Sequence, residues 1–80
     1  MVVKAYILIT VETALTKDVL EHLRRLKEAV EVHEVLGPYD IVVELETPRF
    51  EDVTTILRQK IRPIPGVRNT LTCVDVEGGH

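Results

Sequence analysis

Four segments of the chain alternate between apolar and polar residues, which is the pattern of β-strands with one buried face. They cover residues 2–11, 30–36, 39–46 and 67–76. The first is rich in β-branched residues, which favour strands. Gly37 and Pro38 separate the second and third segments and predict a tight turn, because proline presets the φ angle needed at the second turn position. The pattern therefore predicts four strands.

Two other segments repeat apolar residues at helical spacing. The first covers residues 16–29. In the second, Thr47 and Pro48 are the expected N-cap and first helical residue, and Pro63 ends the helix because proline cannot continue it. The apolar spacing of the first helix is set by Val19, Leu23 and Leu26 and continues to Val30 just beyond it. The stripe of the second helix is Phe50, Val53, Ile56 or Leu57, and Lys60 or Ile61.

The resulting order, βαββαβ, is that of the ferredoxin-like α+β fold. Right-handed crossovers would place both helices on one face of the antiparallel sheet. Residues 1–80 are expected to form a single domain. On the fourth strand, alternation predicts that Leu71 and Cys73 face the helices. The residues expected on the other face are Thr70, Thr72, Val74 and Val76.

The sheet face away from the helices is predicted to be too apolar for a surface that meets only water. Its expected apolar members are Tyr6, Leu8, Val35, Val42, Val74 and Val76. Single exposed apolar residues need no explanation, but a contiguous set favours burial against another molecule. A chain of 80 residues also gains limited stability from its own core. We therefore expect a homodimer formed through the sheets, as in a dimeric α+β barrel, that can assemble further.

Charge and cysteine content narrow the class of partner. The net charge is −3 and no basic run occurs, which argues against direct binding to nucleic acid. Cys73 is the only cysteine, so an internal disulfide is excluded and a reducing compartment is favoured. The chain shows neither a signal-peptide pattern nor an apolar stretch long enough to span a bilayer. We expect a cytoplasmic protein without a membrane partner.

The residue types needed for catalysis are not assembled anywhere along the chain. Serine is absent, and no glycine-rich phosphate loop is present. The histidines show no metal-ligand spacing; they are His22, His33 and His80. We therefore expect a protein that is not an enzyme and that holds neither a metal nor a cofactor.

A few polar residues are placed where they could contact a ligand. Asp40 directly follows the turn, and Thr70 and Thr72 share one face of the fourth strand. Each also has an ordinary structural interpretation, because aspartate commonly caps turns and threonine is a common strand residue. From the pattern alone, both interpretations stay open.

Two motifs resemble the effector domain of the Lrp/AsnC family, also called the RAM domain. Residues 36–43, Leu-Gly-Pro-Tyr-Asp-Ile-Val-Val, are similar to its Gly-x-Tyr/Phe-Asp turn and the apolar strand that follows. Residues 64–72, Ile-Pro-Gly-Val-Arg-Asn-Thr-Leu-Thr, are similar to its Pro-Gly-Val-x-x-Thr-x-Thr segment. The resemblance covers nearly the whole chain. The family's helix-turn-helix is missing, so a stand-alone form without direct DNA binding is expected.

The resemblance implies sheet-to-sheet dimers, which assemble into octamers, decamers or other rings, and a small effector, usually an amino acid, bound between subunits. Transferred by motif, the ligand-binding residues are Gly37, Pro38, Tyr39, Asp40, Thr70 and Thr72. Asp40 would accept a hydrogen bond from the effector's ammonium group, while hydroxyl and backbone N–H groups would donate hydrogen bonds to the effector's carboxylate. Pro38 has no N–H and cannot donate. The implied function is ligand-dependent assembly that modulates transcription regulators of amino-acid metabolism, including pairing with a full-length Lrp/AsnC regulator.

Other proteins with this topology remain alternatives. An ACT-like domain also binds amino acids, but residues 13–16 lack the glycine typical of its first loop. Dimeric α+β barrel monooxygenases and haem-degrading proteins share the topology, but an aromatic content of 4% and the lack of a placed histidine argue against them. A third alternative is a structural subunit that assembles with similar domains and binds no small molecule.

Overall fold

The computed structural model describes residues 2–76 and contains a four-stranded antiparallel sheet with two helices. In chain order the elements are β1 (Val3–Val11), α1 (Thr16–Arg24), β2 (Ala29–Glu34), β3 (Ile41–Thr47), α2 (Phe50–Ile56) and β4 (Val67–Val74). A 3₁₀ turn precedes α1, and a π-helical turn, Leu57–Ile61, extends α2. The strands lie in the order β2-β3-β1-β4. This arrangement confirms the predicted ferredoxin-like α+β fold.

The core lies between the helices and one face of the sheet. Alternate residues of the two central strands are buried on that face, as the period-two pattern predicts. The buried apolar residues of β1 and β3 are Ala5, Ile7, Ile9, Val11, Ile41, Val43 and Leu45. Those of the helical segments are Val19, Leu20, Leu23, Val53, Ile56, Leu57 and Ile61, and Ile64 is buried in the connection before β4. We call the opposite side of the sheet the open face.

The predicted orientation of β4 is wrong. Thr72 pairs with Ile7 and Thr70 with Ile9, so both threonines lie on the helix side of the sheet. Val74 packs against the core as well. The residues of β4 that lie on the open face are Leu71 and Cys73, opposite Leu8 and Tyr6. Val35 and Val76, also assigned to the open face, lie beyond the ends of their strands.

A β-bulge explains the error. Thr10 pairs with Asn69 but Val11 pairs with Val67, so Arg68 is one residue too many on β4. A one-residue insertion moves every following side chain to the other face of a sheet. Counting by twos from Val67 therefore assigns the rest of β4 to the wrong side.

The helix boundaries also differ from the expected ones. Thr47 is not the N-cap of α2 but the last residue of β3; its side chain is buried and its hydroxyl donates to the carbonyl of Arg49 at 2.8 Å. Helix α2 begins after Arg49, whose N–H donates to the Asp52 carboxylate at 3.1 Å. Helix α1 ends at Arg24, earlier than predicted, because the following N–H groups bond three residues back in tight turns.

Gly66 allows the segment before β4 to pass close to α1. Its φ is 102°, and its carbonyl accepts a hydrogen bond from the N–H of Glu12 at 2.8 Å. A Cβ at this position would lie 2.8 Å from the Cβ of Leu15 and 3.1 Å from Cγ2 of Val19. Both the backbone conformation and the contact with α1 therefore require glycine.

We expect Gly66→Ala to lower the free energy of unfolding by about 2 kcal/mol. Alanine would be strained at this positive φ, and its Cβ would clash with the Cβ of Leu15, which is held close to the backbone. The matched control is Gly37→Ala: Gly37 also has a positive φ, 154°, but no heavy atom lies within 4 Å of its added Cβ. The control should lose about 1 kcal/mol or less. Urea unfolding at one protein concentration measures both, and equal losses would contradict the role of the helix contact.

Candidate functional site

The turn formed by residues 35–40, which we call the 35–40 turn, projects from the sheet between β2 and β3. Leu36, Gly37 and Pro38 are exposed, whereas Tyr39 and Asp40 are half-buried. Leu36 is as exposed as in an extended chain, at 104%. An apolar side chain in that position makes no contribution to this domain's own core. The turn therefore offers both apolar and polar groups to another molecule.

Asp40 fixes the 35–40 turn to the end of β1. Its Oδ2 accepts a hydrogen bond from the Val11 N–H at 2.9 Å, and its own N–H donates to the Ile9 carbonyl at 2.9 Å. Its carbonyl accepts from the Val35 N–H, also at 2.9 Å. The carboxylate thus satisfies a backbone donor on the side of β1 that faces β3, just beyond the last β1–β3 pair, Ile9 with Ile41. Asp40 has a structural role, although it caps β1 rather than its own turn.

Thr70 and Thr72 lie on the other side of β1 from the turn. Both are half-buried on the helix side of β4, and Thr70 accepts a hydrogen bond of 3.4 Å from Nε of Arg62. Ile9 pairs with both Ile41 and Thr70, so β1 runs between the turn and the threonine. Two strand spacings, roughly 10 Å, separate them. Within one chain, the predicted site residues therefore flank the end of β1 without forming one pocket.

A cavity of about 250 Å³ lies beside Thr70 and brings in residues that the sequence analysis missed. We call it the Arg62–Arg68 cavity; its lining is Arg62, Val67, Arg68, Asn69 and Thr70. The two arginines stand on either side of the Pro-Gly turn, which reverses the chain direction. An arginine on each side of such a turn is the signal that could have identified the cavity from the sequence.

A second cavity, of about 500 Å³, lies between α2 and the start of β2. Its lining is Lys27, Glu28, Thr47, Pro48, Asp52, Thr55, Ile56, Gln59 and Lys60. Nζ of Lys60 donates to Oε2 of Glu28 at 2.9 Å, and this hydrogen bond lowers the pKa of Glu28. Among the described residues, Oε1 of Glu28 is buried without a hydrogen-bond partner. The cavity contains none of the residues predicted to bind a ligand.

The open face has an apolar centre and charged margins. Leu8 pairs with Val42 on one side and with Leu71 on the other, and Leu71 is 47% exposed. At one margin, Nζ of Lys4 lies 3.6 Å from Oε2 of Glu44, which is the main cause of a raised Lys4 pKa. At another margin, Glu31 and His33 form a 2.7 Å pair. The face has the layout of an interface, an apolar centre within a polar rim.

Residues 2–76 contain no group of three or more histidine, cysteine, aspartate or glutamate side chains arranged to hold a metal ion. Within the same residues, no helix has both the length and the apolar character needed to cross a membrane. Cys73, predicted to be buried, is exposed on the open face.

Comparison with known proteins gives a consistent set of relatives. The family model described as the Lrp/AsnC ligand binding domain matches residues 4–77. The HTH-type transcriptional regulator FL11 of Pyrococcus horikoshii is 37% identical over 70 residues, which are 88% of this chain and 46% of the relative. The chain spans less than half the length of the curated relatives it matches. Those relatives are transcriptional regulators and not enzymes.

Solved structures of other proteins have the same fold as this chain. The crystal structure of FFRP-DM1 is 31% identical, covers 92% of this chain and 99% of its own, and superposes with a TM-score of 0.88. The transcriptional regulator NMB0573 of Neisseria meningitidis, solved as a complex with L-Met, covers 92% of this chain and 49% of its own with a TM-score of 0.85. At 12% identity, that likeness shows the fold alone.

We expect Asp40→Ala to lower the free energy of unfolding by about 1–2 kcal/mol, because it leaves the half-buried N–H of Val11 without its acceptor. Asp40→Asn is the matched control, since its amide oxygen can still accept that hydrogen bond; it should lose less than about half as much. Chemical unfolding of the two variants provides the measurement. If alanine and asparagine were equally tolerated, the hydrogen bond to β1 would have no structural importance.

Proposed function

The chain belongs to the Lrp/AsnC family, and from that premise we propose that it is an amino-acid-binding regulatory domain whose self-assembly responds to its ligand. The observation that carries the proposal is the match of residues 4–77 to a ligand-binding domain. Under the proposal, residues 1–80 act as one effector-binding unit of transcription regulation. The ACT-like and monooxygenase alternatives are not retained.

The chemistry of the 35–40 turn supports an amino acid as the effector. Asp40 commits Oδ2 to the Val11 N–H, and among the described residues its other carboxylate oxygen accepts no hydrogen bond. That oxygen can accept from the ammonium group of an amino acid, a charge-assisted hydrogen bond. Gly37 and Tyr39 contribute backbone N–H groups at the exposed turn, and Pro38 shapes it without donating. The structural neighbour from Neisseria meningitidis was solved with L-Met, an effector of the proposed class.

The separation of the site residues supports a binding site shared between subunits. The 35–40 turn is exposed, whereas Thr70 and Thr72 lie two strand spacings away, roughly 10 Å. A single amino acid contacts both only if they come from different chains. A ligand held between subunits stabilises the assembly to which it binds best. The proposed consequence is an oligomeric state that depends on the effector.

The open face supports a sheet-to-sheet homodimer as the basic unit. Its apolar centre, defined above by Leu8, Val42 and Leu71, would be buried when two sheets stack. Rings such as octamers or decamers, and pairing with a full-length Lrp/AsnC regulator, are further assemblies that we propose for such dimers. As a module of regulators that act on DNA, the domain is proposed to work in the cytoplasm and to contact nucleic acid through its partner rather than directly.

We expect at least one of the twenty amino acids to raise the melting temperature in a thermal-shift screen and to bind in calorimetry. Asp40→Asn should weaken that binding about tenfold or more, because a neutral acceptor replaces a charged one. Glu34→Gln, which removes the same charge at the exposed end of β2, should leave the affinity unchanged. An amino acid that bound all three proteins equally would refute the role of Asp40, and a screen without any hit would refute the proposed effector class.

We expect Leu71→Lys to convert the homodimer into a monomer in sedimentation experiments at micromolar concentration. A lysine buried between two apolar sheets weakens association by about 3 kcal/mol, more than a hundredfold. The control is Phe50→Lys: Phe50, the first residue of α2 on the helix side of the sheet, is 59% exposed, compared with 47% for Leu71. The control should remain dimeric. Dissociation of both variants, or of neither, would contradict an interface at the open face.

A further inference from the structure

The Arg62–Arg68 cavity concentrates positive charge without a carboxylate in its lining. Besides the two arginines, its walls consist of an apolar residue, an amide and a hydroxyl: Val67, Asn69 and Thr70. The chain as a whole is acidic, with a net charge of −3, so the cavity does not follow from a general excess of basic residues. A cavity lined by two arginines and no carboxylate has a positive potential, which favours an anion.

Two departures from regular secondary structure bring these arginines together. Arg62 ends the π-helical turn, where its N–H donates to the carbonyl of Leu57 at 2.9 Å, five residues back. Arg68 is the extra residue of the bulge in β4. A bulge redirects a side chain, and both π-turns and bulges occur frequently at functional sites.

Neither guanidinium is neutralised by a close ion pair. Nε of Arg62 donates to the hydroxyl of Thr70 at 3.4 Å, a contact with a neutral group. Among the described residues, the one ion pair that either arginine makes joins Nε of Arg68 to Oε1 of Glu12 at 4.0 Å. Both of those side chains are more than half exposed, and such long surface pairs contribute little. Most of the N–H groups of the two guanidinium groups are therefore available to donate hydrogen bonds to an anion.

We propose that the Arg62–Arg68 cavity binds a small oxyanion, either a carboxylate or a phosphate group. Planar guanidinium forks match the paired oxygens of these anions, and the Thr70 hydroxyl and Asn69 amide add neutral donors. A volume of about 250 Å³ suits an anion of a few heavy atoms better than a large ligand. The inference goes beyond the proposed effector role. Although Thr70 is common to both sites, the arginines bind an oxyanion whether or not the 35–40 turn binds an amino acid.

Calorimetry of the full chain at constant ionic strength, with inorganic phosphate in one series and propionate in another, tests the proposal. Arg62→Gln and Arg68→Gln should each weaken binding of the preferred anion at least about tenfold. The control is Arg58→Gln, which removes the same charge from an exposed residue outside the cavity and should change the affinity less than about twofold. The anion that binds more tightly shows whether the cavity prefers a carboxylate or a phosphate group.

Two further variants sharpen the test. Glu12→Gln removes the carboxylate that competes for Arg68 and should tighten anion binding about twofold. Asp40→Asn should leave anion binding unchanged, which separates this site from the proposed effector site. The proposal is overturned if neither anion binds at concentrations up to about 10 mM. It is also overturned if Arg58→Gln weakens binding as much as Arg62→Gln, because that result would mean general charge attraction.

Discussion

The hydrogen bond between the Val11 N–H and the Asp40 carboxylate lies at the end of β1, and the position of the 35–40 turn depends on it. Regular pairing between β1 and β3 ends with Ile9 and Ile41. Beyond that pair, the part-buried Val11 N–H would be unfavourable without an acceptor, and Asp40 provides one. The same contact holds the 35–40 turn against β1. On the other edge of the same strand end, the bulge interrupts pairing between β1 and β4, so the turn and the bulge flank the end of β1.

Asp40 therefore has two roles that do not exclude each other. One carboxylate oxygen bonds to β1, and the other can accept from a ligand. A side chain whose position is fixed by the scaffold loses less conformational freedom when a ligand binds, so structural anchoring favours recognition. The bulge has a similar double effect on β4. It moves Leu71 to the open face, where its apolar surface can meet another subunit, and it directs Arg68 toward the cavity shared with Arg62.

The fold was predictable because it depends on patterns that extend over many residues. The buried positions of β1 and β3 follow strict alternation, and the apolar stripe around Val19 and Leu23 is repeated at helical spacing. The local details were less predictable. Threonine is a preferred N-cap residue, but Thr47 is buried at the end of β3 and its hydroxyl donates to the carbonyl of Arg49, so it belongs to the strand. Tertiary packing outweighed a local preference of about 1 kcal/mol.

By itself, the sequence determined the order of elements, the single apolar core and the two motifs that indicated the family, because periodicity and turn chemistry act over neighbouring residues. Only the tertiary structure decided which side of the sheet each residue of β4 faces, what the Asp40 carboxylate contacts, and that Arg62 and Arg68 share a cavity. These features depend on one extra residue in a strand and on partners distant along the chain. A bulge changes the register of everything beyond it without a clear local signal in the sequence.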